Sequence, residues 1–187
     1  MTTTKTFFTS DSHFFHHNVI GYCNRPFLSV DEMDEYMIEK WNSVVGKGDV
    51  VYHLGDFAIT GYSKKHTPKV EKLLSKLNGN KILIRGNHDA PAVLEATGWG
   101  SVKNLHHINI DGQRIIMCHY PMRSWQFKAH GSWMLYGHCH HNLPPVQGEL
   151  SLDVGVDGWD FTPLSFKRIK GIMDLVERSK DLKPEDM

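Results

Sequence analysis

The sequence predicts an α/β fold. In the first half, short apolar runs alternate with amphipathic helical patterns. In the second half, apolar runs crowd around an Asp-Gly turn and end in a single helix. Lys5 to Thr9 reads as a short buried strand that stops at Ser10-Asp11. Ser29 and Glu32 have the spacing of a capping box, in which the Ser hydroxyl and the Glu carboxylate satisfy free N–H groups at a helix start. Val30, Met33, Met37, Ile38, Trp41, Val44 and Val45 follow at helical spacing until Gly46 closes the pattern. Asp49 to Leu54 is the second strand, ending in Gly55-Asp56. Pro68 opens a helix through Val70, Leu73, Leu74 and Leu77 that stops at Asn78-Gly79. Lys81 to Arg85 is the third strand, followed by Gly86-Asn87-His88-Asp89. Strand, loop and helix repeated in this order imply a sheet with helical crossovers. Beyond it, Leu105 to Ile110 and Arg114 to Cys118 flank Asp111-Gly112 as a hairpin. Strands are expected around Ser132 to Tyr136 and Glu149 to Val154, and a helix from about Ser165 to Glu177.

Composition narrows the class. A chain of 187 residues suffices for one domain with a sizeable core, expected over residues 1–179 with a charged tail at 180–187. No apolar run approaches the ~18 residues of a membrane span, and Met1 to Lys5 lacks the apolar stretch of a secretory signal. The three cysteines, Cys23, Cys118 and Cys139, cannot all pair within the chain and lack zinc-finger spacing. A cytoplasmic, reducing location is the expectation. Lys+Arg and Asp+Glu both number 21, so no global field steers polyanions. A stable nucleic-acid partner is therefore not expected, although a nucleotide or a single phosphodiester remains open as substrate. The 13 histidines lean toward metal or acid–base chemistry.

The placement of polar motifs carries more. Asp11-Ser12-His13, Gly55-Asp56, Gly86-Asn87-His88-Asp89, Cys118-His119 and Gly137-His138-Cys139-His140 each follow an apolar strand. Carboxyl ends of strands in open α/β sheets are where loops converge on ligands. Taken singly, each block has a plain structural reading: a turn, a helix cap, or two histidines on one exposed strand face. Turn preference gives no reason for ligand-type side chains at five strand ends. Asp11, His13, Asp56, Asn87, His119, His138 and His140 are oxygen and imidazole donors suited to manganese, iron, nickel or zinc. Seven donors exceed one tetrahedral ion, so two divalent ions is the economical reading.

Asp-x-His, Gly-Asp, Gly-Asn-His-Asp, His and Gly-His-x-His, in that order from Asp11 to His140, resemble the calcineurin-like metallophosphoesterase superfamily. The opening Phe-Thr-Ser-Asp-Ser-His-Phe, with Asn18 and Arg25-Pro26-Phe27, is similar to small stand-alone phosphoesterases of bacteria and phages. The resemblance implies a four-layer αββα sandwich of two mixed sheets flanked by helices. It also implies that Asp11, His13 and His140 hold one ion, that Asn87, His119 and His138 hold the other, and that Asp56 bridges them. It sets His88 at the leaving group as the catalytic residue rather than a ligand. Arg25 and His16 are candidate substrate contacts, with one departure: relatives often carry Gly where this chain has Phe15, ahead of His16. Two ions roughly 3.5–4 Å apart clamp the attacking and leaving oxygens of a phosphate ester. Manganese is the first expectation, and the resemblance, through the histidine at position 138, implies a nucleotide-type phosphodiester as substrate. Alternatives are a phosphomonoesterase, a DNA nuclease, or a non-catalytic metal-binding scaffold. Asp89 is a candidate for orienting His88, whereas Asp153 and Asp157 read as structural. Oligomeric state is not legible.

Overall fold

The computed structural model describes residues 4–179; the charged tail expected from Lys180 onward lies outside them. Two mixed sheets pack face to face. The first has the order β4-β3-β2-β1-β9, built from β1 (Thr6–Thr9), β2 (Val50–His53), β3 (Asn80–Ile84), β4 (Trp99–Lys103) and β9 (Leu164–Ser165). Its first four strands run parallel and β9 is antiparallel to β1. The second sheet has the order β5-β6-β7-β8, from β5 (Leu105–Ile110), β6 (Gln113–Cys118), β7 (Trp133–Tyr136) and β8 (Ser151–Asp153). Only the β5–β6 hairpin in it is antiparallel. Its turn is Asp111-Gly112 at φ 51° and 86°, the two positive φ values that a two-residue turn of matching twist requires.

Alternation along the strands separates two cores. Phe7, Val51 and Leu83 face outward, where α2 (Val30–Val44) covers them with Met33, Met37 and Trp41, and α3 (Thr67–Lys76) with Val70, Leu73 and Leu74. Phe8, Tyr52, Leu54 and Ile84 face inward against Ile115, Met117, Trp133 and Leu135 of the second sheet. Helix α5 (Phe166–Ser179) adds Ile169 and Met173 to that inner core. The Ser29 half of the expected box at the start of α2 forms, with the Glu32 N–H donating to Ser29 Oγ (3.2 Å), while the Glu32 carboxylate reaches past the cap and accepts the Leu28 N–H at Oε2 (2.8 Å).

The sandwich is the expected architecture, with one layer thinner than the resemblance implied. Ile116, Met134 and Tyr136 on the outer face of the second sheet are covered by Met122 and Trp125. These come from the β6–β7 connection, whose regular structure is one 3₁₀ turn, Lys128–His130, rather than an α-helix. Among the described residues, two strands and two α-helices went unread in the sequence, β4, β9, α1 (His17–Tyr22) and α4 (Pro91–Leu94), as did the 3₁₀ turns. Helix α2 ends at Val45 in extended conformation, not at Gly46.

Register sets the site. Thr9, His53 and Leu83 lie side by side, so the loops after β1, β2 and β3 leave the sheet at one level. Met117 pairs with Leu135 in the second sheet, which brings His119 and Gly137 level as well. A bridge between Ser10 and Gly155 joins the two sheets at this end, with the Val156 N–H donating to Ser10 O at 3.0 Å.

Candidate metal centre

Backbone hydrogen bonds fasten the strand-end loops to each other before any side chain acts. The Asp11 N–H donates to Gly55 O and the His13 N–H to Asp56 O, both at 3.0 Å, and the Gly137 N–H to His119 O at 2.9 Å. Gly55 sits at φ +96°, and a Cβ there would meet Gly86 Cα at 2.6 Å and His119 Nδ1 at 2.7 Å. Only glycine fits so close a crossing of backbones. Asp11, His13, Asp56, His138 and His140 all hold positive φ, between 47° and 69°.

Two donor clusters result. Ligand atoms of Asp11, His13 and His140 lie within 4.8 Å of one another, as do those of Asp56, His119 and His138. Asp56 Oδ2 stands between the clusters, 3.7 Å from His13 Nε2 and 3.4 Å from His119 Nε2. Its Oδ1 is occupied, accepting the His88 N–H at 2.8 Å. A single oxygen of Asp56, not one oxygen for each side, therefore faces both groups. Asn87 Oδ1 lies 2.9 Å from His119 Nε2, and His119 Nδ1 lies 2.8 Å from Leu54 O. Donating Nδ1–H to that carbonyl leaves Nε2 as a lone pair. Oxygens of Asn87 and Asp56 converge on it, and either a proton on His119 or a cation can fill that place.

Such convergence suits a cation. Asp11 Oδ1 and both ring nitrogens of His13 are buried without hydrogen-bond partners, an arrangement that costs about 1–3 kcal/mol per group unless something satisfies it. Burial lifts the Asp11 carboxyl to about 7 and drops His13 to about 3. The imidazole is thus a neutral donor, and the carboxyl needs positive charge beside it to stay ionised. At Asp56, burial opposes ionisation, but the hydrogen bond and charge of His119 outweigh it and hold the carboxyl at about 2. Carboxylate, amide and imidazole donors at these spacings fit divalent ions.

The sequence signature described as calcineurin-like phosphoesterase matches residues 4–154. The chain belongs to that family. Calcineurin-like phosphoesterases are metal-dependent hydrolases, and the two clusters are of the kind such a family requires. An uncharacterized protein of Methanocaldococcus jannaschii is 35% identical over 96% of each chain. The gene 66 protein of Mycobacterium phage D29 is 27% identical over 86% of this chain and 92% of its own. A crystal structure of a protein of unknown function from Aquifex aeolicus superposes with a TM-score of 0.73 at 23% identity, covering 91% of this chain and 100% of the other; that likeness concerns the fold.

Around the phosphoesterase clusters, the structure brings His16 and His88 to the rim. Their rings lie 5.4 and 5.6 Å from that of His13. Phe15 does not displace His16: it adopts φ +67°, the region a glycine would use, with its N–H on the carboxylate of Asp34 (3.1 and 3.2 Å) and Lys69 Nζ 3.7 Å above its ring. Burial lowers the His16 ring below the ordinary histidine value, and the nearby His88 and Arg25 lower it further.

Arg25 has a different place from the one expected. Its side chain is 0% exposed, and all five N–H groups are directed inward. Nε and Nη2 fork onto Asp157 (2.7 and 3.0 Å), Nη1 donates to Ser12 O and to the Met33 sulfur, and Nη2 to Asp11 O. A guanidinium so enclosed cannot grip a substrate phosphate; it braces the loop after β1. Asp89 likewise does not orient His88. Its carboxylate accepts the N–H groups of Asp56, Phe57 and Gly86. His53 is fully buried, with Nε2 2.8 Å from Ser12 Oγ. Asp157, read as merely structural, lies 2.7 Å from His140 Nδ1. It stands just past β8, a sixth strand end that the spacing of Gly155-Val156-Asp157-Gly158 disguises as a turn.

Proposed function

We propose that this chain is a dinuclear phosphodiesterase acting on a nucleotide-type phosphodiester. The observation that carries this reading is the position of Asp56 Oδ2 between His13 Nε2 and His119 Nε2. In this reading Asp11, His13 and His140 hold one divalent ion, Asn87, His119 and His138 hold the other, and Asp56 bridges the two. Manganese is favoured, and iron, nickel and zinc accept the same donors. The ions, when bound, supply Lewis acidity to the phosphoryl oxygens and lower the pKa of water toward neutrality.

The chain's own residues do the rest. His88 is exposed at the cleft, and its backbone is pinned to Asp56 Oδ1, so its imidazole is set to give a proton to the leaving oxygen. His16, on another side of the His13 ring, is set to touch substrate. The preference for a diester rests on charge. With Arg25 buried, the side chains at the rim of the clusters are the imidazoles of His16 and His88, and burial lowers His16 below its ordinary value. A rim of imidazoles with no guanidinium free to grip phosphate suits the single charge of a diester better than the double charge of a monoester. The free state of Cys23, Cys118 and Cys139 agrees with the proposed cytoplasmic location. Among the described residues, no helix is long and apolar enough to cross a membrane.

Purified protein with manganese, assayed on bis-p-nitrophenyl phosphate, p-nitrophenyl phosphate, 2′,3′-cyclic nucleotides and single-stranded DNA, tests this. Higher kcat/KM on the diester and cyclic nucleotides than on the monoester is expected. Preference for p-nitrophenyl phosphate would replace the reading with a monoesterase. Full metal occupancy without turnover of any of the four would replace it with a scaffold.

A further inference from the structure

His140 is held by its Nδ1. Its Nδ1 lies 2.7 Å from Asp157 Oδ2 and 3.3 Å from Cys23 Sγ. Its ring stacks on His13 at 5.2 Å, and it joins Asp11 and His13 as a donor. Cys23, His140 and Asp157 themselves form a group whose donor atoms lie within 4.8 Å. Nδ1 therefore has two chemical options: a lone pair toward a cation shared with Cys23 and Asp157, or an N–H given to Asp157.

Arg25 decides between them. Its guanidinium lies against both oxygens of Asp157, at 2.7 and 3.0 Å, with its side chain buried. A fixed positive charge there repels a second cation and already neutralises the carboxylate. Asp157 keeps the role of hydrogen-bond acceptor, so Nδ1 carries the proton and Nε2 is left as the lone pair. We infer that Asp157, locked by Arg25, is a positioning residue that sets the tautomer and ring orientation of His140 toward the first ion. A carboxylate behind a metal-binding imidazole commonly serves this purpose. The same Arg25 also donates to the carbonyls of Asp11 and Ser12, so one side chain aligns the loops that carry Asp11, His13 and His140. This inference rests on His140 being a ligand, as proposed above.

Long-range ¹H–¹⁵N correlation on histidine-labelled wild-type protein loaded with zinc reads the tautomer directly. The expected result is a proton on Nδ1 of His140; a proton on Nε2 overturns the inference. No substitution is needed, so this measurement decides even where an Asp157 variant does not fold. Chelator competition and elemental analysis on Asp157→Asn add a second readout. Affinity for one of the two zinc ions is expected to fall about 10- to 100-fold, with the other unchanged. Unchanged affinity for both overturns the inference. Cys23→Ala is expected to keep both ions, and loss of an ion there would favour a cation at Nδ1 instead. Wild-type protein that takes up fewer than two ions overturns the dinuclear reading itself, whereas two ions with Nε2-protonated His140 overturns this inference alone.

Discussion

Asp89 turns its carboxylate away from its neighbour His88 and onto the backbone of Asp56, with Oδ2 accepting the Asp56 N–H at 3.1 Å. Oδ1 accepts the Phe57 N–H and Oδ2 also the Gly86 N–H, both at 2.8 Å. One buried carboxylate thus sets the spacing of two strand-end loops, and Asp56 can present Oδ2 to both donor clusters only while that spacing holds. Asp89→Ala is expected to leave buried N–H groups unsatisfied and to destabilise the fold by about 2–4 kcal/mol, with loss of activity. Urea unfolding of the metal-free variant, alongside its kcat/KM, checks both.

Asp56→Asn tests the bridging oxygen. The His88 N–H requires an acceptor at Oδ1, so the amide oxygen is held there and the NH₂ group is turned toward His13 and His119. A donor in that place repels cations. Activity is expected to fall below detection and metal content to drop, as measured by phosphodiester hydrolysis and elemental analysis. Full activity would contradict the role given to Asp56.

His88→Ala separates proton transfer from metal holding. The His88 backbone N–H, not its ring, contacts Asp56, so the substitution leaves that anchor in place. The expected result is a kcat lower by about 10²–10⁴-fold with metal content intact. A substrate with a better leaving group should recover part of the loss, because it needs less protonation.

Asp34 gives the fold a pH dependence of its own. Burial raises its carboxyl to about 7, against the lowering effects of the Phe15 N–H and Lys69. The folded state therefore holds this proton more tightly than the unfolded chain, with its value near 3.8. Its contribution to stability falls as pH rises from about 4 to about 7 and is level above that. Asp34→Asn keeps an acceptor for Phe15 and removes the charge. Its stability advantage over the parent is expected to grow between pH 5 and pH 8, reaching on the order of 2–4 kcal/mol. Chemical unfolding of both metal-free proteins at the two pH values measures it.

The sequence revealed what local chemistry dictates. The Ser29 cap, the Asp111-Gly112 turn and the strands before each ligand-type motif were readable because each follows from a few adjacent residues. Strand β4 was not, because Trp99-Gly100-Ser101-Val102-Lys103 is half-exposed at a sheet edge and lacks alternation. Strand β9 spans two residues, too few to show a period. At the centre, the side-chain types of the seven proposed donors were visible as ligand-type residues at strand ends. The direction taken by Arg25 and Asp157 could not be read, because a charged residue in a loop reveals nothing about which distant partner will enclose it. Their pairing spans 132 positions and exists only once the two sheets have met.

The left-handed backbone at Asp11, His13, Asp56, His138 and His140 restricts what mutation can put there. Outside glycine, that region admits asparagine, aspartate and histidine far more readily than branched or bulky side chains. The shape of the main chain and the demands of cation chemistry therefore filter for nearly the same short alphabet. A descendant that gave up hydrolysis would still be pressed to keep much of this set merely to fold. For proteins built on this frame, an intact row of acidic and imidazole residues is a weak certificate of turnover, and only a rate can supply the rest.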